Sequence, residues 1–295
     1  ALPISKPFFH LLAQSDSLRY LASRYGMRTP TSFARRFIAG ETVEEAIAAA
    51  RAIEARGLMQ TLDLLGESVS SLKEADAATR AYLQVVEAVS QAGIIRNLSL
   101  KLTQLGLDTD RASAIDNLRR ILEHADGFFI RIDMESSAYT QVTLDIFEIL
   151  WEQGYRNIGI VLQADLHRTE ADEARISALG ARVRLVKGAY REPRAVAYQS
   201  KADVDRQYAL LTRRLLEHGH YPAIVTHDIQ ETLRIVDYIY FVSEGRIIAQ
   251  GSVAEVSASQ SPFVRQFIHG ESDGAIPFHY PALDYRQDLL GRQTP

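Results

Sequence analysis

The chain has 295 residues, of which 46% are hydrophobic and 24% charged, so it is long and apolar enough to bury one large core or two small ones. Its net charge of −4 gives no electrostatic basis for binding nucleic acid, and no apolar run is long enough to cross a bilayer. Because there is no cysteine, disulfides, thiolate catalysis and cysteine-ligated metals are excluded.

Residues 1–60 are predicted to be helical, and the last helix of this part has clear signals at both ends. Thr42 stands at its N-cap, Glu45 follows at capping-box spacing, and Gly57 marks the stop. Strands and helices then alternate. The predicted strands are 61–67, 98–102, 128–134, 158–164, 183–189 and 223–228, and the helices between them are 71–93, 109–125, 142–154, 169–180 and 201–219. Such regular alternation is typical of a parallel sheet.

Two architectures suit this alternation, an open doubly wound sheet and an eight-stranded barrel. No glycine-rich G-x-G-x-x-G turn follows the first strand, so a dinucleotide-binding fold has no support. Polar residues instead fall at the ends of several strands, as they do in barrels: Asp63, Lys101, Asp133, Gln163, Arg184, Lys187 and His227. We therefore predict an α/β fold of the (βα)8-barrel type, with six βα units preceded by N-terminal helices.

The pattern changes after Asp228. A short helix leads into a predicted β-hairpin at 238–252 that turns at residues 243–245, and a tail rich in proline and aromatic residues follows. The two further βα units that would complete an eight-stranded barrel are missing from this part. We place a domain boundary near 223–229.

The stretch RLVKGAYREP, residues 184–193, carries the strongest chemical signal. Arg184 and Lys187 lie in an apolar strand, and burying a charge is costly unless an opposite charge pairs with it. Gly188 and Ala189 follow, and such small residues let a ligand approach the main chain. The pattern predicts a site for an anionic, flat or phosphorylated ligand at this strand end.

The alternative is that these cations form structural ion pairs. Asp133 or Glu135 on a neighbouring strand could supply the partner carboxylate. For the whole set this alternative is weaker, because Lys101 adds a third cation that points inward.

The segments LDLLGE, SLKL, RIDMES, VLQA, RLVKGAY, KADVDRQY and THD occur in an order and spacing that resembles the proline dehydrogenase family. The resemblance covers roughly residues 30–228, and RLVKGAY is its most specific element. It implies a distorted (βα)8 barrel that carries FAD and oxidises L-proline to pyrroline-5-carboxylate by hydride transfer to the flavin. A quinone is the electron acceptor we expect.

The resemblance also implies roles for individual residues, with Arg184, Lys101 and Asp133 as the catalytic set. Arg184 would lie by the hydride-accepting nitrogen of the flavin ring and stabilise the negative charge of the reduced ring. Further cofactor contacts would come from Gln163, Val186, Lys187, Gly188, Ala189, Thr226 and His227. The substrate would meet Lys101 at its carboxylate, with Asp133, Leu185, Tyr190 and Glu67 around it, Glu67 as the acidic half of an ion-pair gate.

A second resemblance begins at Val225. The stretch VTHDIQETLRIVDYIYFVSEGRIIAQGSVAEV resembles the C-terminal end of an ABC-transporter ATPase, and the extension after it resembles the ATPase subunit of bacterial phospholipid-transport systems. In that family the histidine contacts the γ-phosphate of ATP and the tail contacts transporter subunits. No G-x-x-x-x-G-K-[ST] loop, LSGGQ signature or Asp-Glu pair precedes it, so His227 cannot support ATP hydrolysis here.

We interpret the chain as a fusion at residues 226–228, produced by either a genomic rearrangement or an error of sequence assembly. Residues 1–228 would form an incomplete proline dehydrogenase-like FAD barrel, and residues 229–295 an ABC ATPase-like segment. The leading function is a proline dehydrogenase impaired by the missing barrel part. The alternatives are a carrier of the subunit-contact tail of a transport ATPase, and a hybrid that folds poorly and is inactive. We expect a cytoplasmic protein, peripheral at the inner membrane if the tail binds transporter subunits.

Overall fold

The computed structural model describes residues 39–217, 222–225, 229–243 and 246–270. The helices predicted before residue 39, the hairpin turn and the tail after residue 270 lie outside these ranges. The chain divides into two compact units, with the division between Ile224 and Val225. Among the described helices, none has the length and apolar character needed to cross a membrane.

The first unit alternates helices and strands, as predicted. Its helices are α1 (Val43–Glu54), α2 (Leu72–Ala92), α3 (Arg111–His124), α4 (Ser137–Glu152), α5 (Thr169–Ala178) and α6 (Lys201–Glu217). Its strands are β1 (Leu62–Asp63), β2 (Asn97–Leu100), β3 (Phe129–Ile132), β4 (Ile158–Gln163), β5 (Arg182–Val186) and β6 (Ala223–Ile224). The strands are shorter than the apolar runs that predicted them, because several of the polar residues at their ends leave the ladder.

Local sequence signals set the starts of three helices. Thr42 accepts a hydrogen bond from the backbone N–H of Glu45, which confirms the predicted N-cap of α1. Ser71 and Asp110 cap α2 and α3 in the same way. Helix α4 differs, since it begins at Ser137 and not at the predicted residue 142. A carboxylate distant in sequence holds this first turn: Glu192 accepts a hydrogen bond from the Ser137 backbone N–H at 2.7 Å.

The six strands of the first unit form one parallel sheet in chain order, β1 to β6. Asp63, Ser99, Arg131, Gly159 and Arg182 stand in register across the first five strands. Among the described residues, β1 and β6 each pair on one side only, so they are the outer strands of the sheet. The sheet is a curled half-barrel, which agrees with the predicted (βα)8-like fold of six βα units.

The two faces of this sheet differ in polarity because side chains alternate along each strand. One face is apolar, at most 1% exposed and packed under the helices: Leu98, Leu100, Ile130, Ile132, Ile158, Ile160, Leu162, Val183 and Leu185. Burying each of these side chains stabilises the fold by about 1.5–3 kcal/mol. The other face, here called the polar face, carries Thr61, Asp63, Ser99, Lys101, Arg131, Asp133, Gln163 and Arg184. The predicted chemistry therefore has a single surface on which to assemble.

The second unit contains a hairpin and short helices. Its elements are α7 (Ile229–Ile235), β7 (Tyr238–Ser243), β8 (Arg246–Ser252), α8 (Val253–Ser257) and α9 (Pro262–His269). Strands β7 and β8 pair in antiparallel fashion with an irregularity at Phe241 and Val242, as the hairpin prediction requires. Phe241, Val256, Val264 and Ile268 form its small core. This unit therefore has an apolar centre of its own.

Gly159 in β4 leaves space that a neighbouring ring fills. A Cβ atom at this position would lie 2.4 Å from Cζ of Phe129 and 2.7 Å from the carbonyl oxygen of Arg182. The carbonyl belongs to a paired strand and cannot move without disturbing the sheet. We predict that Gly159→Ala lowers the free energy of unfolding by about 1–3 kcal/mol, measured by urea denaturation. An unchanged urea midpoint would show that ring and strand yield without cost.

Candidate active site

Three predicted catalytic residues come together on the polar face. Lys101 follows β2, Asp133 follows β3, and Arg184 lies within β5. The Asp133 carboxylate lies 3.3 Å from Nη1 of Arg184 and 3.9 Å from Nζ of Lys101. Each of the three side chains is about one-fifth exposed, at 19% to 20%. Half-buried charges from three strands therefore share one carboxylate, and we call this set the Asp133 cluster.

Further residues complete the cluster. Ser99 donates a hydrogen bond of 2.6 Å to Asp133, and Oγ1 of Thr61 lies 3.4 Å from Nη2 of Arg184. Oδ2 of Asp63 lies 3.7 Å from the ammonium of Lys101. The sequence had suggested Asp63 only as a strand-end residue, and it had not indicated Ser99 or Thr61. The available signal was spacing. Ser99 lies two residues before Lys101, and Thr61 lies two residues before Asp63, which places each pair on the same face of its strand.

Burial and charge act against each other at Asp63. Burial raises the pKa of the Asp63 carboxyl, the Lys101 ammonium lowers it, and the Asp133 charge raises it again. The buried Tyr82 hydroxyl behind β1 donates to Oε1 of Gln104 at 2.9 Å, and its pKa is raised first by burial and then by the two aspartates. Tyr82 therefore stays protonated, and the acids of this region depend on Lys101 and Arg184 for compensation.

Both cations, Arg184 and Lys187, form ion pairs, as the structural alternative proposed, and one of the two partners is an acid that it named. Arg184 does pair with Asp133, but Glu135 accepts hydrogen bonds from the backbone and hydroxyl of Thr103 at 3.2 and 2.6 Å. Lys187 reaches helix α6 instead, where its ammonium donates to Asp205 at 2.7 Å. Burial raises the pKa of Asp205, but the hydrogen bonds from Lys187 and Lys201 outweigh it and hold the pKa low. In this structure Lys187 anchors a helix and lies apart from the cluster.

Leu185 is placed at odds with its predicted contact to the substrate. It is fully buried in the helix-covered core and stands in register with Leu162 and Ile224. The reason is alternation, because the residue next to Arg184 must face the opposite side of the sheet. The structure therefore corrects this prediction: Leu185 belongs to the core.

Tyr190 and Glu67 are exposed residues near the carboxyl ends of the strands. The pKa of the Tyr190 hydroxyl is raised by burial first and then by the charges of Glu135 and Glu67. Tyr190, Glu135 and Glu67 follow β5, β3 and β1, at the end of the sheet where ligands bind in parallel α/β folds. Thr226 and His227 lie outside the described residues.

Several groups beside the cluster fit a cofactor with amide and phosphate groups. Gln163 is 4% exposed, and its Oε1 atom has no hydrogen-bond partner among the described residues. A buried amide without partners is costly, and a ligand N–H would satisfy it. The backbone N–H groups of Gly188 and Ala189 likewise donate no hydrogen bond within the described part of the chain. Free N–H groups in a turn after a strand suit a phosphate, so the donor set fits a flavin dinucleotide.

Asp165 explains why residue 188 is a glycine. The Gly188 backbone has φ +119°, and a Cβ atom there would lie 2.0 Å from Oδ2 of Asp165. Any side chain at this position would displace the carboxylate and strain the turn. Burial, and then the charge of Glu192, raise the pKa of Asp165 to about 6. The loop beside the proposed cofactor donors thus holds a carboxyl group that titrates near neutral pH.

Comparison with known proteins gives one family for most of the chain. The sequence model of the family "Proline dehydrogenase" matches residues 46–247. This match begins after the predicted limit of 30 and ends beyond the predicted limit of 228. "Proline dehydrogenase 2" of Bacillus subtilis (strain 168) is 37% identical over 227 residues, which is 76% of this chain and 74% of that protein. "Proline dehydrogenase" of Deinococcus radiodurans is 40% identical over 203 residues, or 67% of this chain and 66% of that protein.

Two further similarities each cover about a quarter of the matched protein. The crystal structure of proline utilization A (PutA) from Bdellovibrio bacteriovorus inactivated by N-propargylglycine superposes with a TM-score of 0.62 at 26% identity, covering 69% of this chain but 27% of that one. A separate match of 67 residues, at 45% identity, is to the "Intermembrane phospholipid transport system ATP-binding protein MlaF" of Escherichia coli (strain K12). It covers 23% of this chain and 25% of that protein.

The raised pKa of Asp165 predicts how stability depends on pH. An acid that titrates near 6 in the folded chain and near 4 in the unfolded chain makes the fold less stable as the pH rises through 6. We predict that Asp165→Asn raises the urea midpoint at pH 8, and that its advantage over the original chain shrinks by pH 5. Asp205→Asn is the control of opposite sign, because the low pKa of Asp205 stabilises the fold at pH 8. A lower midpoint for Asp165→Asn at pH 8 would contradict this account.

Proposed function

This chain belongs to the proline dehydrogenase family, which is a family of oxidoreductases, and from this premise we propose that its first unit carries an FAD-dependent site for oxidising L-proline to pyrroline-5-carboxylate. One observation carries the proposal. Lys101, Asp133 and Arg184 come from three strands. The charged groups of Lys101 and Arg184 each lie within 4 Å of the Asp133 carboxylate. Arg184 of the RLVKGAY segment thus lies with Lys101 and Asp133 on the polar face of the half-barrel.

Each residue of the site has a task that its surroundings support. Lys101 is held by Asp63 and Asp133 and offers N–H donors to a carboxylate, which suits an amino acid substrate. When bound, FAD supplies the hydride acceptor of the reaction. Gln163 and the N–H groups of Gly188 and Ala189 would hold this cofactor, while the Arg184 guanidinium would stabilise negative charge next to it. A quinone as electron acceptor is part of the same proposal.

The tail is proposed to be the C-terminal segment of a phospholipid-transport ATPase. The match to MlaF supports this, and so does the compact second unit with its antiparallel hairpin. The division between the units lies close to the predicted junction at 228, whereas the family match continues to 247. Such a tail would contact transporter subunits. The protein would then be cytoplasmic and bound at the periphery of the inner membrane. It would not hydrolyse ATP, because the chain carries no phosphate-binding loop before it.

We further propose that the fusion impairs the enzyme. Six strands do not close an eight-stranded barrel, and β1 and β6 pair on one side only in the described part of the chain. The family resemblance implies an Arg-Arg pair on a last helix that also binds the substrate carboxylate, and the sequence after residue 228 lacks it. Losing two charge-assisted hydrogen-bond donors would cost several kcal/mol, on the order of 10²-fold in affinity.

The function is tested on the whole chain and on a chain with a completed barrel. We predict weak FAD binding and negligible proline:dye oxidoreductase activity for the chain as it stands. Replacing residues 229–295 with the C-terminal segment of a proline dehydrogenase should restore both flavin binding and turnover. Robust activity of the original chain would contradict the impairment. A completed barrel that folds but binds no flavin would contradict the enzyme assignment itself.

The role of Lys101 is tested in the completed barrel by Lys101→Met. Removing the only lysine of the Asp133 cluster should raise KM for L-proline on the order of 10²-fold with a smaller effect on kcat, since the lost bond forms in substrate and transition state alike. Lys73→Met on the exposed face of α2 is the matched control and should leave KM unchanged. An unchanged KM in Lys101→Met would remove this lysine from the substrate site.

A further inference from the structure

Arg131 is a buried charge without an ion-pair partner among the residues that the structure describes. It lies in β3 on the polar face, with 6% of its surface exposed. Its Nε atom has no hydrogen-bond partner, and it takes part in no ion pair within the described residues. The nearby carboxylate of Asp133 is already engaged by Arg184 and Lys101. What Arg131 does contact is the ring of Phe129, whose centroid lies 5.0 Å from the guanidinium carbon.

Keeping Arg131 charged is unfavourable for the folded chain. Burial, and then the charge of Arg184, lower the pKa of Arg131 to about 10, so the group still carries its proton at neutral pH. A base whose pKa falls on folding destabilises the fold at every pH where it stays charged in the folded state. A methionine of similar length would fill the same space without that cost.

The position of Arg131 relates it to the cluster. It stands in register with Ser99 and Gly159, two residues before Asp133 along the same strand. Arg182 also stands on the polar face, in register with Gly159, so this face has four cations, Lys101, Arg131, Arg182 and Arg184, against the two acids Asp63 and Asp133. Arg184 repels Arg131 while Asp133 attracts it, so the two arginines act on each other through space.

Arg182 provides a natural comparison. It lies on the same face, and its guanidinium carbon is also 5.0 Å from the centroid of the Phe129 ring. Unlike Arg131 it is exposed, so water screens its charge. The two residues share chemistry and ring partner, and they differ in burial.

We propose that Arg131 is a positioning residue, a charge kept at a cost to stability because it raises the positive potential of the Asp133 cluster for an anionic ligand. It acts through Arg184, which it repels while Asp133 holds that guanidinium at 3.3 Å. The ligand it favours carries delocalised or carboxylate negative charge, which on the proposed function means the flavin and the substrate carboxylate. Stability and ligand binding should then respond to Arg131 in opposite directions.

The test compares Arg131→Met with Arg182→Met in the full chain. Without ligand, Arg131→Met should unfold at a higher urea concentration than the original chain, and Arg182→Met should change little. Inorganic phosphate at constant ionic strength should stabilise the original chain and Arg182→Met more than Arg131→Met. FAD, followed by quenching of its fluorescence, should bind about ten-fold more weakly to Arg131→Met, while Arg131→Lys recovers part of the loss.

Each outcome decides between a positioning and a structural role. A lower urea midpoint for Arg131→Met would mean that the residue supports the fold, and the proposal would be overturned. The same holds if Arg131→Met is more stable yet binds phosphate as well as Arg182→Met does. If the original chain binds phosphate in an Arg131-dependent way while the completed barrel folds but binds no FAD, the proposed function fails and the inference about Arg131 stands.

Discussion

The site depends on the ion pairs that the Asp133 carboxylate forms with Lys101 and Arg184. The two cations, from separate strands, approach this carboxylate within 4 Å, and Ser99 fixes its orientation with a hydrogen bond of 2.6 Å. Without this carboxylate, Lys101 and Arg184 would repel each other in a half-buried place, where charge is costly. The helix-covered face of the sheet supplies the stability that lets the polar face keep such a cluster. Arg131 adds to the same charge imbalance.

Much of this arrangement follows from side-chain alternation, and that part could be predicted from sequence. Lys101 and Asp133 stand at the ends of apolar runs, and parallel strands bring such ends together, while Arg184 faces the same side by alternation along β5. Other features depend on contacts between distant parts of the chain. The pairing of Lys187 with Asp205 crosses from a strand to a helix, and the start of α4 depends on Glu192. The family resemblance implied that Leu185 contacts the substrate. As the neighbour of Arg184 on β5, its side chain lies on the opposite face of the sheet and is buried in the core.

The two units differ in the size of their apolar cores and in the type of sheet that they contain. The first has a continuous apolar core under a parallel sheet, and its cluster is built from residues spread over much of the unit. The second has a small core of four buried residues around an antiparallel hairpin. The family match runs from residue 46 through the rest of the first unit into the start of the second, and the similarity to a transport ATPase covers a quarter or less of either protein. A redox site with an appended contact segment is the simplest account of both.

We propose that the first unit holds a proline-oxidising site organised by Asp133. The most direct measurement is a single turnover without oxygen, in which L-proline is added to the completed barrel carrying FAD and flavin absorbance is followed. We expect loss of oxidised flavin absorbance with L-proline and not with D-proline. The rate should be at least about 10²-fold lower in Asp133→Ala, because Lys101 and Arg184 lose their shared partner. Equal bleaching by both enantiomers, or an unchanged rate in Asp133→Ala, would contradict this proposal.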